Sequence, residues 1–180
     1  MVEFLKVCGI KSLTDAEYAI ESGFTAIGVV FHKKSKRFVD FEKAKKIAEF
    51  CKGKIQTVAV GINYREVEPA AKFFDFVQLY EYLPLKNLIF ASSRKPSVEK
   101  FKFFLYDKGM GDGKFRQFPE WLEKADYPVI LAGGLSPENV GEVVKKYSPV
   151  GVDVSSGVET NGVKDFEKMK QFVKEVRNAE

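Results

Sequence analysis

The chain has 180 residues, of which 45% are hydrophobic and 30% charged, with a formal net charge of +4. These values suit one domain with a sizeable core and exclude a disordered chain, and no apolar stretch approaches membrane-spanning length. The positive excess is mild and spread over Lys/Glu mixtures such as residues 41–50, so it reads as solvated helix faces that suit an anionic small molecule, not as a nucleic-acid surface.

Two cysteines, Cys8 and Cys51, make no disulfide framework and show no metal-ligand spacing, and one histidine excludes a histidine-rich metal site. No cofactor is expected. The first residues carry no secretory pattern, which predicts a cytoplasmic protein that engages neither membrane nor nucleic acid, as monomer or homodimer. High Lys and Glu content with 17 Phe points toward a thermophilic source.

In chain order, residues 5–8 read as a buried strand, Gly9 breaks it, and Ser12 opens a helix over 13–22. A strand at 26–31 and a helix at 41–51 follow, then a strand at 57–62 and a helix at 65–73. Strands are next expected at 76–79, 88–91 and 103–106, with a short helix at 120–124. A strand at 129–132 leads to a helix at 137–146, for which Ser136 is a cap and Pro137 the first helical residue. The last strand, 151–154, precedes a helix at 166–178 capped by Asp165. Strands alternating with helices imply a parallel sheet, and eight strands imply a (β/α)8 TIM barrel as one domain over residues 1–180. The chain is short for that fold. Residues 80–87 and 92–102 have no room for full helices, so a compact barrel with short or missing helices after strands 4 and 5 is predicted.

In such barrels chemistry gathers where strands end. Cys8 stands at the end of strand 1, where a thiol serves as base or nucleophile; the plain alternative is a small buried hydrophobe. After strand 2 comes a basic loop, His32-Lys33-Lys34-Ser35-Lys36-Arg37. It is a solvated charge run unless Arg37, whose planar fork suits two oxygens, holds a carboxylate. His32 lies one strand from Cys8, which makes a Cys–His pair conceivable. Gly133 and Gly134 follow strand 7 and lead into the capped helix; Ser155, Ser156 and Gly157 follow strand 8. Glycines let backbone N–H groups approach an anion, and the loops after strands 7 and 8 form the usual phosphate site of this barrel.

Residues 6–10 (Lys-Val-Cys-Gly-Ile), 35–37 (Ser-Lys-Arg), 77–79 (Val-Gln-Leu), 131–135 (Leu-Ala-Gly-Gly-Leu), Asn139-Val140, 151–159 (Gly-Val-Asp-Val-Ser-Ser-Gly-Val-Glu) and Lys164-Asp165 together resemble phosphoribosylanthranilate isomerase, from the first strand to the last helix. The resemblance implies a (β/α)8 barrel of tryptophan biosynthesis that uses no cofactor or metal. It implies an Amadori rearrangement of N-(5-phosphoribosyl)anthranilate to 1-(2-carboxyphenylamino)-1-deoxyribulose 5-phosphate. On it, Cys8 is the general base, Arg37 holds the anthranilate carboxylate, Asp153 lines the anthranilate side, and Gly133, Gly134, Ser155, Ser156 and Gly157 hold the phosphate.

Two positions depart from the family pattern. The family's acid is an aspartate just after a Gly-[Ser/Thr]-Gly-Lys loop; aligning 111–114 (Gly-Asp-Gly-Lys) puts Gln117 there. Glutamine hydrogen-bonds but carries no acidic proton. Asp112 is the first substitute, Glu120 the second and Asp107 the third. Tyr80 stands where a histidine is usual. Another sugar-phosphate isomerase or epimerase, or a non-catalytic phosphosugar-binding barrel, remains the alternative.

Overall fold

Eight parallel strands close on themselves in sequence order: β1 (Phe4–Cys8), β2 (Ala26–Val30), β3 (Gln56–Val60), β4 (Phe76–Leu79), β5 (Leu88–Ser92), β6 (Phe103–Asp107), β7 (Val129–Ala132) and β8 (Gly151–Val154). Closure comes from β1 pairing with β8, Phe4 opposite Gly151 and Lys6 opposite Asp153. In this computed structural model, residues 1–98, 100–109 and 112–180 are described.

Period-two alternation splits the strand side chains into two cores. Inward-facing Val58, Ile89, Leu105 and Ile130 fill the barrel with Ala26 and Ala132. Its N-terminal end is plugged by Phe4, Phe76 and Phe103, each the first residue of its strand, with ring centroids 4.8–5.9 Å apart. Outward-facing Leu5, Val7, Ile27, Val29 and Val152 pack instead under the helices.

The helices are α1 (Leu13–Ser22), α2 (Phe41–Cys51), α3 (Tyr64–Val67), α4 (Val140–Tyr147) and α5 (Phe166–Ala179). The Ser12, Asp40 and Asp165 side chains accept the backbone N–H groups of Asp15, Lys43 and Lys168, and so cap α1, α2 and α5. Among the described residues no helix follows β4 or β5, as expected from their short connections, and no helix is long and apolar enough to cross a membrane.

Three predicted helices differ from their expected form. Residues 65–73 break into α3 and a 3-10 turn, Ala71–Phe73. Pro69 is the cause: its ring clashes with the preceding turn and it has no N–H to give. Residues 120–124 form a 3-10 turn. The helix expected from Pro137 begins at Val140, after a turn in which the Ser136 carbonyl accepts from the Asn139 and Val140 N–H groups.

Candidate active site

The C-terminal ends of the strands surround a cleft of about 630 Å³. Cys8, Arg37, Gln78, Tyr80, Asp107, Asp112, Gly133, Gly134, Asp153, Ser155, Ser156 and Glu159 line it. Residues far apart in sequence meet here because each ends a strand or begins the loop after it. Gln117 does not line the cleft: it lies exposed on the segment between Asp112 and the 3-10 turn Glu120–Lys124. Gly157 is also off the cleft wall, pressed against the loop after β7.

Cys8, a half-buried residue, reaches the cleft from the last position of β1. Beneath it, two residues back and therefore on the same inward face, lies fully buried Lys6. Lys6 Nζ sits 2.9 Å from Asp153 Oδ1 on β8, an ion pair in contact but not aligned as a hydrogen bond. Opposite Cys8 on β2 is Gly28. A Cβ there would stand 2.9 Å from Cys8 Sγ and 3.2 Å from Lys6 Nζ, so the missing side chain makes the space both groups share. Burial pushes the Cys8 thiol up, with Lys6 and Lys164 pulling the other way. Burial would lower Lys6, but Asp153 and Cys8 outweigh it and hold the ammonium charged.

Arg37 folds across Gly9, whose φ of +82° and lack of Cβ leave room for its stem. Its fork is already engaged. Nε donates to Glu159 Oε1 at 2.8 Å and Nη2 to Oε2 at 2.9 Å, while Lys164 Nζ donates to Oε1 at 2.9 Å. Glu159 and Lys164 belong to a hairpin after β8, β9 (Glu159–Thr160) and β10 (Val163–Lys164). Among the described residues, Arg37 Nη1 has no partner and is left for a ligand.

The loops after β7 and β8 touch through glycine. A Cβ on Gly157 would lie 2.0 Å from the Leu135 carbonyl oxygen. Gly134 has φ +70°, and a Cβ there would lie 2.0 Å from the Phe115 backbone nitrogen, so the segment after β6 lies across this loop. Asn139 fastens it: Nδ2 donates to the Gly134 carbonyl at 3.0 Å and Oδ1 accepts the Ser136 N–H at 2.9 Å. Among the described residues, the N–H groups of Gly134 and Gly157 donate to no protein acceptor. On the cleft side of these loops stand Gly133, Gly134, Ser155 and Ser156, small residues of the kind that suit an anion.

The carboxylates proposed as proton donors separate clearly. Asp112 lies at the rim and is bound twice by Arg116, at 3.0 and 2.5 Å. These bonds, chiefly, hold its carboxyl down at about 2 and turn both its oxygens toward Arg116. Met110 and Gly111, the latter part of the aligned loop, lie outside the described residues. Glu120 is exposed at the start of its 3-10 turn, away from the cleft. Asp107 is buried in the cleft wall, where Oδ2 accepts from the Tyr80 hydroxyl at 3.0 Å and Oδ1 from the Gly109 N–H at 3.1 Å. Burial, then Asp107 itself, push the Tyr80 hydroxyl strongly up. His32 also lines the cleft, with its Nδ1 engaged 2.8 Å from Glu66 Oε1 on α3.

Sequence reasoning assigned no role to Lys6, Gln78, Glu159 or Lys164. Lys6 carried a signal: a charge inside an otherwise apolar strand, two residues from Cys8. Gln78 is buried on β4 and its Oε1 has no protein partner among the described residues, which leaves an acceptor facing the cleft.

The model of the family "N-(5'-phosphoribosyl)anthranilate (PRA) isomerase" matches residues 99–175. A Listeria monocytogenes N-(5'-phosphoribosyl)anthranilate isomerase is 32% identical over 206 aligned positions, covering 98% of this chain and 99% of its own. The chain belongs to the phosphoribosylanthranilate isomerase family. The crystal structure of the Thermus thermophilus family member superposes with a TM-score of 0.82 at 28% identity, covering 98% of this chain and all of that one. Another solved isomerase, with reduced 1-(o-carboxyphenylamino)-1-deoxyribulose 5-phosphate bound, gives 0.82 at 30% identity, covering 99% of this chain and 100% of its own. Phosphoribosylanthranilate isomerases are closed parallel barrels of tryptophan biosynthesis, and this chain's eight-stranded barrel is of that kind.

Proposed function

We propose that this family member converts N-(5-phosphoribosyl)anthranilate into 1-(2-carboxyphenylamino)-1-deoxyribulose 5-phosphate, with the Cys8 thiolate as general base and the Asp107 carboxylic acid as the donor of the proton that the ring oxygen takes up. The observation that carries this reading is one cleft holding a thiol above a buried ammonium, a buried carboxylate on a different strand, and an anion-shaped pair of glycine loops. The reaction breaks the bond between sugar carbon 1 and the ring oxygen, which takes up a proton, and removes a proton from carbon 2. An acid and a base on different sides of the sugar meet both needs. Cys8 on β1 and Asp107 on β6 stand three strands apart around the mouth.

Backbone N–H groups near Gly133 and Gly134, with Ser155 and Ser156, hold the phosphate, and Gly157 lets the two loops close on each other. Arg37 Nη1 meets the anthranilate carboxylate while Glu159 keeps the guanidinium in place. Gln78 Oε1 accepts from a substrate hydroxyl or amine. Asp153 acts through Lys6 more than on the ligand, because its carboxylate already faces that ammonium.

Loss of the substrate's anthranilate fluorescence tests the activity, and complementation of a tryptophan auxotroph tests it in the cell. Turnover by the purified chain is the expected result. Tight binding of the product analogue without turnover would overturn this reading in favour of a non-catalytic phosphosugar-binding barrel.

A further inference from the structure

Lys6 is the most deeply buried charge among the described residues, and the proposed proton transfers do not use it. It sits in the floor of the barrel with no access to solvent. Isolating an ammonium there is costly, and the cost is met only in part by Asp153. Its location is not dictated by packing, because an apolar residue of similar length would fill the same space. What the ammonium has nearby is a thiol. Cys8 Sγ and Lys6 Nζ share the space that Gly28 leaves open, each within 3.2 Å of the point where a Cβ would stand.

We propose that Lys6 is a positioning residue that stabilises the Cys8 thiolate, and that Asp153 anchors and moderates its charge. This rests on Cys8 being the base. An ammonium a few ångströms from a thiol favours the ionised sulfur, and a carboxylate facing that ammonium weakens the effect. Asp153 therefore opposes Lys6: it holds the ammonium in place, and its own charge disfavours the thiolate. The other groups around Cys8 are Lys164 on β10, Arg37 after β2 and Tyr80 just after β4, while Asp107 on β6 lies near Asp153. Of these, Arg37 and Lys164 are tied to Glu159, which leaves Lys6 as the cation committed to the floor beneath the thiol.

The test is the pH dependence of Cys8 alkylation by iodoacetamide in the full chain, followed by peptide mass spectrometry. The readout does not require turnover, so an error in the assignment of the base and an error here are distinguishable. Cys51 does not interfere, since burial pushes its thiol up to about 11 and its peptide is separate. Lys6→Met, which keeps length and removes charge, should raise the Cys8 midpoint by at least about one pH unit, or tenfold slower alkylation at pH 7. Asp153→Asn should lower the midpoint. Opposite signs are the signature of charge, because a merely structural pair would shift both variants alike or neither. A folded Lys6→Met protein with the wild-type profile would overturn the proposal. Should Lys6→Met fail to fold, Lys6→Gln decides, and a wild-type midpoint in that variant overturns the proposal.

Discussion

Replacing Glu159 by Gln should cost this protein stability in a pH-dependent way. Glu159 Oε1 accepts from Arg37 Nε and Lys164 Nζ, and Oε2 from Arg37 Nη2, at 2.8–2.9 Å, with the side chain 9% exposed. Burial alone would raise its carboxyl, yet the two cations bring it from 4.5 down to about 2. A carboxylate with a lowered folded-state pKa stabilises the fold above its unfolded value, and that contribution disappears as pH falls from 4.5 through 2. A drop of that size is worth roughly 3 kcal/mol at pH 7, and solvent screening of the partly exposed Arg37 reduces it to about 2 kcal/mol. The amide in Glu159→Gln keeps the shape and one acceptor but not the charge. Urea unfolding of both proteins should show a gap of about 2 kcal/mol at pH 7, narrower at pH 3 and nearly closed at pH 2. In turnover assays the same variant should raise KM more than it lowers kcat, because Arg37 loses its clamp. A stability gap of equal size at pH 7 and pH 3 would refute the ionic reading of this triad.

Cys8→Ser should lower kcat at least about 100-fold while the thermal midpoint and product binding stay close to wild type, checked by fluorescence turnover and calorimetry. Asp107→Asn should lower kcat by a similar factor and Asp112→Asn by less than about threefold; the reverse order would return the acid to the rim loop. Gly134→Val should raise KM well before it affects kcat, since a side chain there strains a φ of +70° and meets the Phe115 backbone, and the assay is saturation kinetics alongside inorganic-phosphate inhibition.

The barrel was legible because its strands are written as short apolar runs at regular intervals, and strand order follows from the preference of parallel units for neighbouring positions. The helix after β3 was misread because periodicity in residues 65–73 outweighed Pro69, a local rule that the backbone obeyed. The glycines after β7 and β8 were legible as points of close approach: a Cβ on Gly134 or Gly157 would run into backbone. The carboxylate proposed as proton donor was not. Alignment by loop spacing led to Gln117 and Asp112, but spacing says nothing of where a long loop lays each side chain, and Arg116 neutralises Asp112 only four residues away. Asp107 was ranked last because a strand-end carboxylate looks structural in one dimension. Glu159 was likewise invisible as Arg37's partner, since 122 residues separate them.

The brevity of the chain and the position of its site have one explanation. Every group assigned to proton transfer or anion binding belongs to β6, β7, β8, β1 or the loop after β2, neighbours around one arc of the mouth. The missing helices follow β4 and β5, on the opposite arc. What those helices would have covered is covered by aromatic rings: Phe90 on β5 meets Tyr82 and Phe101, and Phe104 on β6 meets Phe101, Trp121 and Tyr127, at centroid separations of 5.6–6.4 Å. A phenyl ring buries about 150–250 Å² with few rotatable bonds, so a handful of rings shields an outer strand face that would otherwise need a helix. Three of the 17 phenylalanines, Phe90, Phe101 and Phe104, thus stand in for helices on this side of the barrel. The loops that carry charge and glycine keep their length, because a phosphate or a carboxylate is held by placed donors and not by apolar area.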